Sequence, residues 1–282
     1  MEWLTETKIP LGQWISSLMD GLNEHADFVF YTISDVLEFI IENTIDFLVW
    51  LPPLLIIAGF GALAAVLHKS WKLTAFTVLS LLLIVNLGYW EETMETLALV
   101  IYASLFCMVI GVPLGVASAH RPWLYQAMRP VLDLMQTIPT FVYLIPTLIL
   151  FGLGVVPGLI STVIFAIAAP IRLTHLGISS TPKALLEAGE SFGCTPRQLL
   201  FKVELPSAMP SIMAGLTQCI MLSLSMVVIA ALVGADGLGK PVVRALNTVN
   251  VAQGFEAGLA IVILAIVLDR ICRRENTETT GQ

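Results

Sequence analysis

The sequence predicts an all-α polytopic membrane protein of about seven transmembrane helices, preceded by an amphipathic N-terminal helix. The 282 residues are 57% apolar and only 12% charged, and their mean hydropathy is +0.87. A soluble domain usually carries about 25% charged residues. The apolar residues are also gathered into runs close to the ~20 residues that a helix needs to cross a hydrocarbon layer of about 30 Å. We therefore expect most of the chain to lie in a bilayer.

The segment before the first apolar run, residues 1–46, contains regularly spaced acids. In the stretch YTISDVLEFIIENTIDFLVW, acids recur every three or four positions at Asp35, Glu38, Glu42 and Asp46. This spacing places the carboxylates on one face of a helix. Such a helix either lies in the outer interface with its carboxylates toward water or contacts an external protein. The residues leave both readings open.

Seven apolar segments follow as candidate spans. The first two form an accessory pair within residues 47–90. The fifth and seventh are short, so Arg172 at one end, and Asp269 with Arg270 at the other, would have to reach the interface by snorkelling. The segments are Phe47–Leu67, Leu73–Tyr89, Leu97–Ala119, Val131–Gly154, Val156–Ile171, Ala208–Val233 and Phe255–Cys272.

The basic residues are distributed unevenly between the two sides of the membrane. If the first span runs inward, 11 of the 14 lie on the cytoplasmic side, against Lys8, Lys240 and Arg244 outside. Cytoplasmic loops are enriched in Lys and Arg. We therefore predict a multi-pass protein of the cell membrane with its N-terminus outside and a cytoplasmic tail at residues 275–282. The cytoplasmic basic residues are Lys69, Lys72, Arg121, Arg129, Arg172, Lys183, Arg197, Lys202, Arg270, Arg273 and Arg274.

One cytoplasmic loop, residues 178–206, contains helix start and stop signals. Thr181-Pro182 and Thr195-Pro196 each place a hydroxyl N-cap before a proline at the first helical position. Thr195 and Gln198 also match a capping box. Gly193 suits a positive φ at the end of the first helix, and Leu205-Pro206 is expected to close the second. The loop is therefore predicted to form two short helices that meet at a glycine bend.

The same loop carries a spaced motif. Glu187-Ala188-Gly189 is followed by Gly193 and then by Val203, Leu205 and Pro206. This spacing follows the pattern EAA-x3-G-x9-I-x-LP, where x is any residue. The stretch therefore resembles the cytoplasmic signature of ABC importer permeases. Gly189 replaces the last Ala of that signature, and Val203 replaces the Ile. The resemblance implies that the loop forms a coupling helix seated in a groove of an ATPase. The alternative is a helical hairpin that only reconnects two spans.

The resemblance extends over about residues 91–274. The stretches DLMQTIPTFVYLIP, GVVPGLISTVIFAIAAPIRLTHLGI and VIAALVGADGLGKPV are similar to the branch of the family that imports glycine betaine, proline betaine and related quaternary amines. This resemblance implies a type I ABC importer permease with a five-helix core over 91–274, working as a homodimer. It further implies cytoplasmic ATP-binding-cassette ATPase subunits, which bind ATP and Mg, and an extracellular or periplasmic substrate-binding protein. We then expect no cofactor in this chain and no nucleic-acid partner.

Several loop residues are candidates for contact with the ATPase. Small side chains at Ala188 and Gly189 permit close approach, Glu187 and Glu190 can pair with basic residues of the partner, and apolar side chains can anchor in its groove. Phe192 and Leu199 are the expected anchors. The complete set is Glu187, Ala188, Gly189, Glu190, Phe192, Gly193, Arg197, Leu199, Leu205 and Pro206.

The fourth apolar segment contains a conspicuously polar stretch with one close aromatic pair. Its polar side chains either line a water-filled passage for a zwitterion or form hydrogen bonds between helices, which is the commoner role of Thr in membranes. Both readings stay open. The candidates for the passage are Gln136, Thr137, Thr140, Phe141, Tyr143 and Thr147. Prolines that would kink these spans and expose backbone carbonyls to a cavity are Pro139, Pro146, Pro157, Pro170 and Pro210.

The stretch GADGLGKP, residues 234–241, differs by one residue from a phosphate-binding P-loop. Pro241 replaces the hydroxyl residue that would hold Mg²⁺, and an apolar helix rather than a strand precedes the stretch. We therefore predict a glycine-rich turn at the outer mouth, formed by Gly234, Asp236 and Gly237, that serves as a gate or a docking surface. A plain turn is the alternative.

These features favour a transport subunit over an enzyme. No spacing of nucleophile and base, or of metal ligands, occurs in the sequence, so no catalytic and no metal-binding residues are assigned. The expected substrate is glycine betaine or a related compatible solute, with choline, carnitine or another small solute as the alternative. An ion-coupled secondary transporter would place ionisable groups in mid-membrane. Between the ends of the predicted spans there are only Asp133 and Asp269, each near a boundary.

Overall fold

The computed structural model describes residues 10–273, and every regular element in that range is helical. Residues 1–9 and 274–282, which include Lys8, Arg274 and the predicted tail, lie outside the described residues. The helices are α1 (Leu11–Trp50), α2 (Pro53–His68), α3 (Trp71–Leu87), α4 (Trp90–His120), α5 (Pro122–Thr137), α6 (Thr140–Phe151), α7 (Val155–Ala166), α8 (Ala168–Ser179), α9 (Lys183–Ser191), α10 (Pro196–Leu199), α11 (Leu205–Ala230), α12 (Gly239–Asn247) and α13 (Val251–Cys272).

The helices agree with a polytopic membrane fold. Four are long and apolar enough to cross a membrane: α4, α7 continuing into α8, the run from Pro196 to Val233, and α13. Two bent pairs, α1 with α2 and α5 with α6, raise the number to as many as six, and α3 is a shorter apolar helix. Each of the seven predicted segments overlaps one of these elements. The all-α polytopic fold class is therefore confirmed.

The predicted first span is not one straight helix. α1 continues past the predicted boundary at residue 46 to Trp50, and α2 leaves it at an angle of 99°. Leu51 and Pro52 between them have extended backbones, with ψ of 134° and 133°. A proline disfavours the helical conformation of the residue before it, and here two prolines follow Leu51 in succession. The Pro52-Pro53 pair thus breaks the helix inside the expected span.

The acidic helix α1 packs on the rest of the protein along its apolar face. Ile41 is fully buried against Ala103 of α4 and Leu159 of α7. The Thr44 hydroxyl forms a hydrogen bond of 2.6 Å with the Tyr102 hydroxyl. The four acids of the periodic stretch remain exposed or half-exposed. The periodicity therefore reports a helix with one face against the protein and an acidic face left outside.

The predicted fourth span is also broken. α5 and α6 meet at 99°, and Ile138 and Pro139 between them are extended, with ψ of 132° and 134°. The break has the same cause, because Ile138 precedes a proline. α6 has 12 residues and is about 18 Å long, too short to cross the hydrocarbon layer alone. The predicted segment Val131–Gly154 is therefore divided between two helices, and the division falls at Pro139, one of the prolines expected to kink it.

The helices α4, α8 and α11 cross closely where small residues meet. A Cβ on Gly115 of α4 would lie 2.6 Å from the Thr174 Cβ of α8. A Cβ on Gly215 of α11 would lie 3.1 Å from the Pro170 Cα of α8. Close backbone approach between small residues is a main source of helix association in membranes. α8 is thus held between α4 and α11, and the loop that carries the spaced motif connects α8 to α11.

The bundle has two distinguishable ends. His120, the last residue of α4, contacts Glu204 near the start of α11, and Arg273 after α13 lines one cavity with Pro206. We call this the loop end. The first residues of α4 and Gln253 of α13 line a cavity at the other end, which we call the opposite end. The segment 178–206 and the turn 234–238 therefore lie at different ends.

Candidate coupling loop and translocation path

The motif loop is an ordered helical bend. α9 ends at Ser191, and Gly193 follows with φ of +77°, as its position in the motif predicts. The Gly193 and Cys194 amides donate to the Glu190 and Gly189 carbonyls at 2.8 and 3.1 Å, which closes the last turn of α9. The Thr195–Gln198 capping box then starts α10, with both of its reciprocal hydrogen bonds present. These two local predictions are confirmed.

The predicted start of α9 is wrong by one residue. Pro182 is the N-cap, with ψ of 129°, and no side chain caps the helix. The Pro182 carbonyl accepts a hydrogen bond of 3.0 Å from the Leu185 amide, as the carbonyl of an N-cap residue does. Thr181 instead donates its backbone N–H to Ile178 of α8, and its side chain is buried. Thr181 therefore belongs to the end of α8.

The second loop helix does not end at Leu205-Pro206 as expected. α10 continues through a π turn at Leu200–Glu204 directly into α11. The Leu205 amide donates to the Leu200 carbonyl, five residues back, so the backbone is already in a wider register where Pro206 lacks an N–H. The motif proline consequently lies in the first turn of α11 rather than between two helices. A displacement of α10 would pass straight into α11.

The loop presents an exposed surface of mixed chemistry. Phe192 is 89% exposed, an unusual state for a large apolar side chain on a charged loop. Glu187, Ala188 and Glu190 of α9 and Arg197 of α10 are also exposed. Phe201, which the sequence analysis did not single out, adds a second exposed aromatic ring. This surface has the apolar anchors and charged surroundings of a docking site.

Gly189 and Leu199 have a different position from the other loop candidates. Gly189 is buried, and a Cβ there would lie 2.7 Å from the Leu199 Cδ1. Leu199 is therefore the residue that packs α10 against α9. It holds the bend together from inside, whereas Phe192 points outward.

The loop is joined to α4 by a pair of residues that the sequence analysis missed. Glu204 in the π turn is only 7% exposed, and its carboxylate oxygens lie 2.9 and 3.2 Å from the His120 Nε2. The other ring nitrogen, Nδ1, lies 3.0 Å from the Val116 carbonyl. A ring that carries both protons can donate to both acceptors. The sequence feature that could have indicated this contact is an acidic residue placed between the two apolar motif residues Val203 and Leu205.

The residues predicted for the passage divide between two environments. Gln136, Thr137 and Phe141 are exposed around the α5–α6 bend, and Thr140 is half-buried there. The structure therefore brings these four together at one break in the helices. Their role in a passage stays a prediction.

Tyr143 and Thr147 are buried and satisfied within the protein. The Tyr143 hydroxyl donates to the Met135 carbonyl at 2.5 Å and ties α6 to the last turns of α5. The Thr147 hydroxyl lies 2.7 Å from that of Ser161 in α7 and also donates to the Tyr143 carbonyl. For these two residues the structure thus shows hydrogen bonds between helices, which was the alternative to lining a water-filled passage. Tyr143 therefore fixes the bend between α5 and α6, and Thr147 fixes α6 against α7.

A second ion pair lies beside this bend. The Arg172 guanidinium of α8 donates to the Asp133 carboxylate of α5 at 2.5 Å. α8 continues to Ser179, so Arg172 is inside the apolar helix rather than at its end, and the expected snorkelling is replaced by pairing. Both side chains are partly exposed. The pair joins the two helices next to the exposed residues at the bend.

The predicted outer turn is tightly built at the opposite end. Gly234 and Gly237 have φ of +94° and +117°, and the Leu238 amide donates to the Thr96 hydroxyl of α4 at 2.8 Å. A Cβ on Gly237 would lie 2.6 Å from the Thr96 Oγ1. Asp236 forms an ion pair with Lys240 on the first turn of α12. The turn is thus fixed to the start of α4.

A cavity of about 320 Å³ opens beside this turn. Asp236 and three acids from the start of α4, Glu91, Glu92 and Glu95, share its wall with Lys240 and Arg244. Within residues 10–273, no three His, Cys, Asp or Glu side chains are grouped so as to hold a metal ion. The arrangement offers a charged, mixed surface at the opposite end.

Comparison with known proteins places these features in a family. The family model described as "Binding-protein-dependent transport system inner membrane component" matches residues 111–272, more than half of the chain. The chain belongs to this family of transport permeases. It is therefore a multi-pass component of a transport system in the membrane.

Several relatives are similar over almost the whole chain. The glycine betaine/carnitine transport permease GbuB of Listeria monocytogenes is 45% identical over 97% of this chain and 98% of its own length. The glycine betaine/proline betaine permease ProW of Escherichia coli is 44% identical over 94% of this chain and 75% of its own length. The glycine betaine permease OpuAB of Bacillus subtilis is 44% identical over 94% of this chain and 93% of its own.

A solved structure shares the fold of the permease core. A chain of the inward-facing MetNI methionine ABC transporter superposes with a TM-score of 0.57 at 27% identity, over 64% of this chain and 92% of that one. The neighbour is thus almost wholly covered, whereas about a third of this permease has no counterpart in it. The type I ABC importer permease fold expected from the motif is confirmed.

Proposed function

We propose that this permease forms the membrane pathway of an ATP-binding-cassette importer for glycine betaine or a related quaternary amine. The relatives named above as glycine betaine permeases support this substrate class. The observation that carries the proposal is the motif loop: an ordered bend whose exposed Phe192 is available to a partner, and whose second helix continues into α11.

The proposal requires partners that supply energy and substrate. ATP and Mg are bound by a separate cytoplasmic ATPase, which docks on the loop end. A substrate-binding protein delivers the solute to the opposite end, where the turn at Gly234, Asp236 and Gly237 and the charged cavity beside it supply a docking surface. Two copies of the permease enclose the pathway. This assignment puts the N-terminus outside and the C-terminus in the cytoplasm, in line with the excess of Lys and Arg at the loop end.

The contacts of the loop suggest how motion passes from the ATPase to the pathway. Closure of the ATPase dimer moves α9 and α10 together, because Leu199 packs over Gly189. The movement reaches α11 through the π turn and α4 through the Glu204–His120 contact. α8 is held between these two helices, so the three move as a packed unit.

The pathway itself is proposed to run past the bend between α5 and α6. Gln136, Thr137 and Thr140 offer polar groups to a zwitterion, and Phe141 offers an aromatic face to a quaternary ammonium. The Arg172–Asp133 pair joins α8 to α5 beside these residues. Since α8 moves with the coupling unit, the pair is in a position to open and close the passage.

Choline or carnitine is the second candidate substrate. The names of GbuB and of the OpuCD permease of Bacillus subtilis, which is 33% identical over 66% of this chain, include carnitine, and that of OpuCD includes choline. All these solutes share a trimethylammonium group.

Competition uptake with the complete transporter distinguishes the candidates. Uptake of labelled glycine betaine by vesicles is measured with the cognate binding protein present and an excess of unlabelled choline, carnitine or glycine betaine. The proposal predicts that only glycine betaine and its close analogues compete strongly. Equal or stronger competition by choline would move the assignment to the second candidate, and no uptake of any of them would refute the substrate class.

A further inference from the structure

A basic cavity lies at the loop end, away from the motif loop itself. Its volume is about 470 Å³, and it is formed by the turn between α2 and α3 and by the last turns of α13. Lys72, Arg270 and Arg273 line it, together with His68. The His68 Nε2 donates to the Ile271 carbonyl at 3.0 Å, which fixes the α2 end of the wall to α13. The cavity thus gathers three permanent positive charges within a built recess.

These charges have no protein counterion among the described residues. Within residues 10–273, the ion pairs are His120–Glu204, Arg172–Asp133 and Lys240–Asp236. Lys72, Arg270 and Arg273 belong to none of them. Asp269, the acid nearest to them along α13, is not among the residues that line the cavity. An anion that enters would therefore meet a concentrated positive charge.

The other wall of the cavity is apolar and continues onto the outer surface of the bundle. Leu73 and Phe76 of α3 and Ile266 of α13 line it, and Phe76 and Ile266 are exposed. Both helices are apolar, so this wall continues toward the hydrocarbon layer. A ligand that fits both walls is an amphiphile with an anionic head and an apolar tail.

We propose that this cavity binds the phosphate headgroup of an anionic membrane lipid, whose acyl chains lie along Phe76 and Ile266. Basic pockets between transmembrane helices on the cytoplasmic side are suited to phosphate headgroups. A free phosphate would use the same basic residues but would leave the apolar wall without a ligand. The site does not depend on the transported substrate, because none of its residues belongs to the bend or to the motif loop.

Native mass spectrometry of the purified permease complex tests the proposal directly. Detergent-solubilised protein is titrated with phosphatidylglycerol and, separately, with phosphatidylcholine, and bound lipid is counted. Wild-type protein should retain phosphatidylglycerol in preference. The double variant Lys72→Gln/Arg270→Gln should bind it about 25-fold more weakly, since each basic residue near an anionic surface contributes roughly fivefold. Arg273→Gln, which lies after the end of α13 and leaves the helices intact, should weaken it about fivefold.

The matched control removes the same charge elsewhere at the loop end. Arg121→Gln/Arg129→Gln replaces exposed basic residues that do not line the cavity, and it should leave phosphatidylglycerol binding within twofold of wild type. Equal loss in this control, or equal retention of both lipids by wild type, would overturn the site. Displacement of phosphatidylglycerol by inorganic phosphate alone would show a free-anion site and overturn the lipid assignment.

Discussion

The carboxylate of Glu204 lies 2.9 Å from the His120 Nε2, across 84 residues of sequence. Glu204 occupies the only position between the motif residues Val203 and Leu205, and it is nearly buried. His120 is the last residue of α4, a helix of 31 residues that is long and apolar enough to cross the membrane. The contact therefore attaches the coupling loop to a helix that runs to the opposite end of the bundle.

Breaking this contact should lower both stability and coupling. His120→Ala leaves a buried carboxylate without its partner, and we expect a loss of about 1–3 kcal/mol in the free energy of unfolding. Glu204→Gln keeps an acceptor for the ring and should lose less. Thermal unfolding in detergent and the ratio of solute transported to ATP hydrolysed measure the two effects.

The exposed Asp236–Lys240 pair provides the control for that experiment. Asp236→Asn removes an ion pair whose side chains are about half exposed, and such pairs contribute only about 0–1 kcal/mol. Its stability should stay close to wild type. A His120→Ala protein with unchanged stability and an unchanged transport ratio would contradict a structural link through Glu204.

Gly193→Ala should uncouple hydrolysis from transport. Gly193 has φ of +77° and no atom within 4 Å of an added Cβ, so the cost comes from backbone conformation alone. That cost is about 1–2 kcal/mol and favours reshaping of the bend. A larger residue should have a stronger effect. Uptake and ATP hydrolysis are measured in the same vesicles, and the transport ratio should fall while the permease remains in the membrane.

Gly88→Ala is the matched variant for Gly193→Ala. Gly88 has φ of +79° and equally open surroundings, but it follows α3 away from the motif loop. It should lose similar stability and keep the wild-type transport ratio. If both variants, or neither, changed the ratio, the bend at Gly193 would have no special part in coupling.

Phe192→Ala should weaken binding of the ATPase without destabilising the permease. The ring is 89% exposed, so its removal costs little folding energy, whereas a buried aromatic anchor at an interface contributes about 2 kcal/mol or more. We expect at least about a 30-fold weaker association, measured by titration of the ATPase onto permease in nanodiscs. Leu246→Ala, an exposed apolar residue of α12 near the outer turn, should bind the ATPase normally. Equal affinity of Phe192→Ala and wild type would refute the anchor.

Gly189→Ala, which completes the usual EAA sequence, should be tolerated. The added Cβ would lie 2.7 Å from the end of the flexible Leu199 side chain and at an ordinary contact distance of 3.4 Å from the Val203 Cγ2, so a small rotation of Leu199 relieves the one close contact. Gly239→Ala is the contrasting variant, because its Cβ would lie 2.3 Å from the Val227 carbonyl oxygen. We expect less than about 1 kcal/mol of destabilisation for the first and about 1–3 kcal/mol for the second. Thermal unfolding of the two proteins provides the comparison, and the reverse order would show that the loop packs differently.

Local features of the loop could be predicted from sequence, whereas contacts between distant segments could not. The Thr195–Gln198 box and the positive φ at Gly193 depend on neighbouring residues only, and both were found. The position of Thr181 was missed because α8 uses its backbone N–H. The Glu204–His120 contact depends on how α4 packs near α11, and a short stretch of sequence contains no information about that packing.

The sequence indicated where the helices bend, but the size of the bend was underestimated. Proline was recognised as an interruption of the fourth span, yet a Pro in a membrane helix can produce a mild kink or a full break. Here Ile138 and Pro139 are both extended, and the chain turns by 99°. Packing of α6 on α5 through Tyr143 stabilises that turn. The proline breaks the helix, and this tertiary contact between α6 and α5 stabilises the angle at which the two parts meet.

The most direct test of the central claim is uptake by vesicles that contain the permease with its ATPase and binding protein. Glycine betaine uptake is followed with ATP supplied on the ATPase side, with ADP instead, and with ATP after ionophores have removed every ion gradient. An ATP-driven permease predicts accumulation with ATP whether or not gradients are present, and none with ADP. Uptake that follows an ion gradient in vesicles lacking the ATPase would contradict the account.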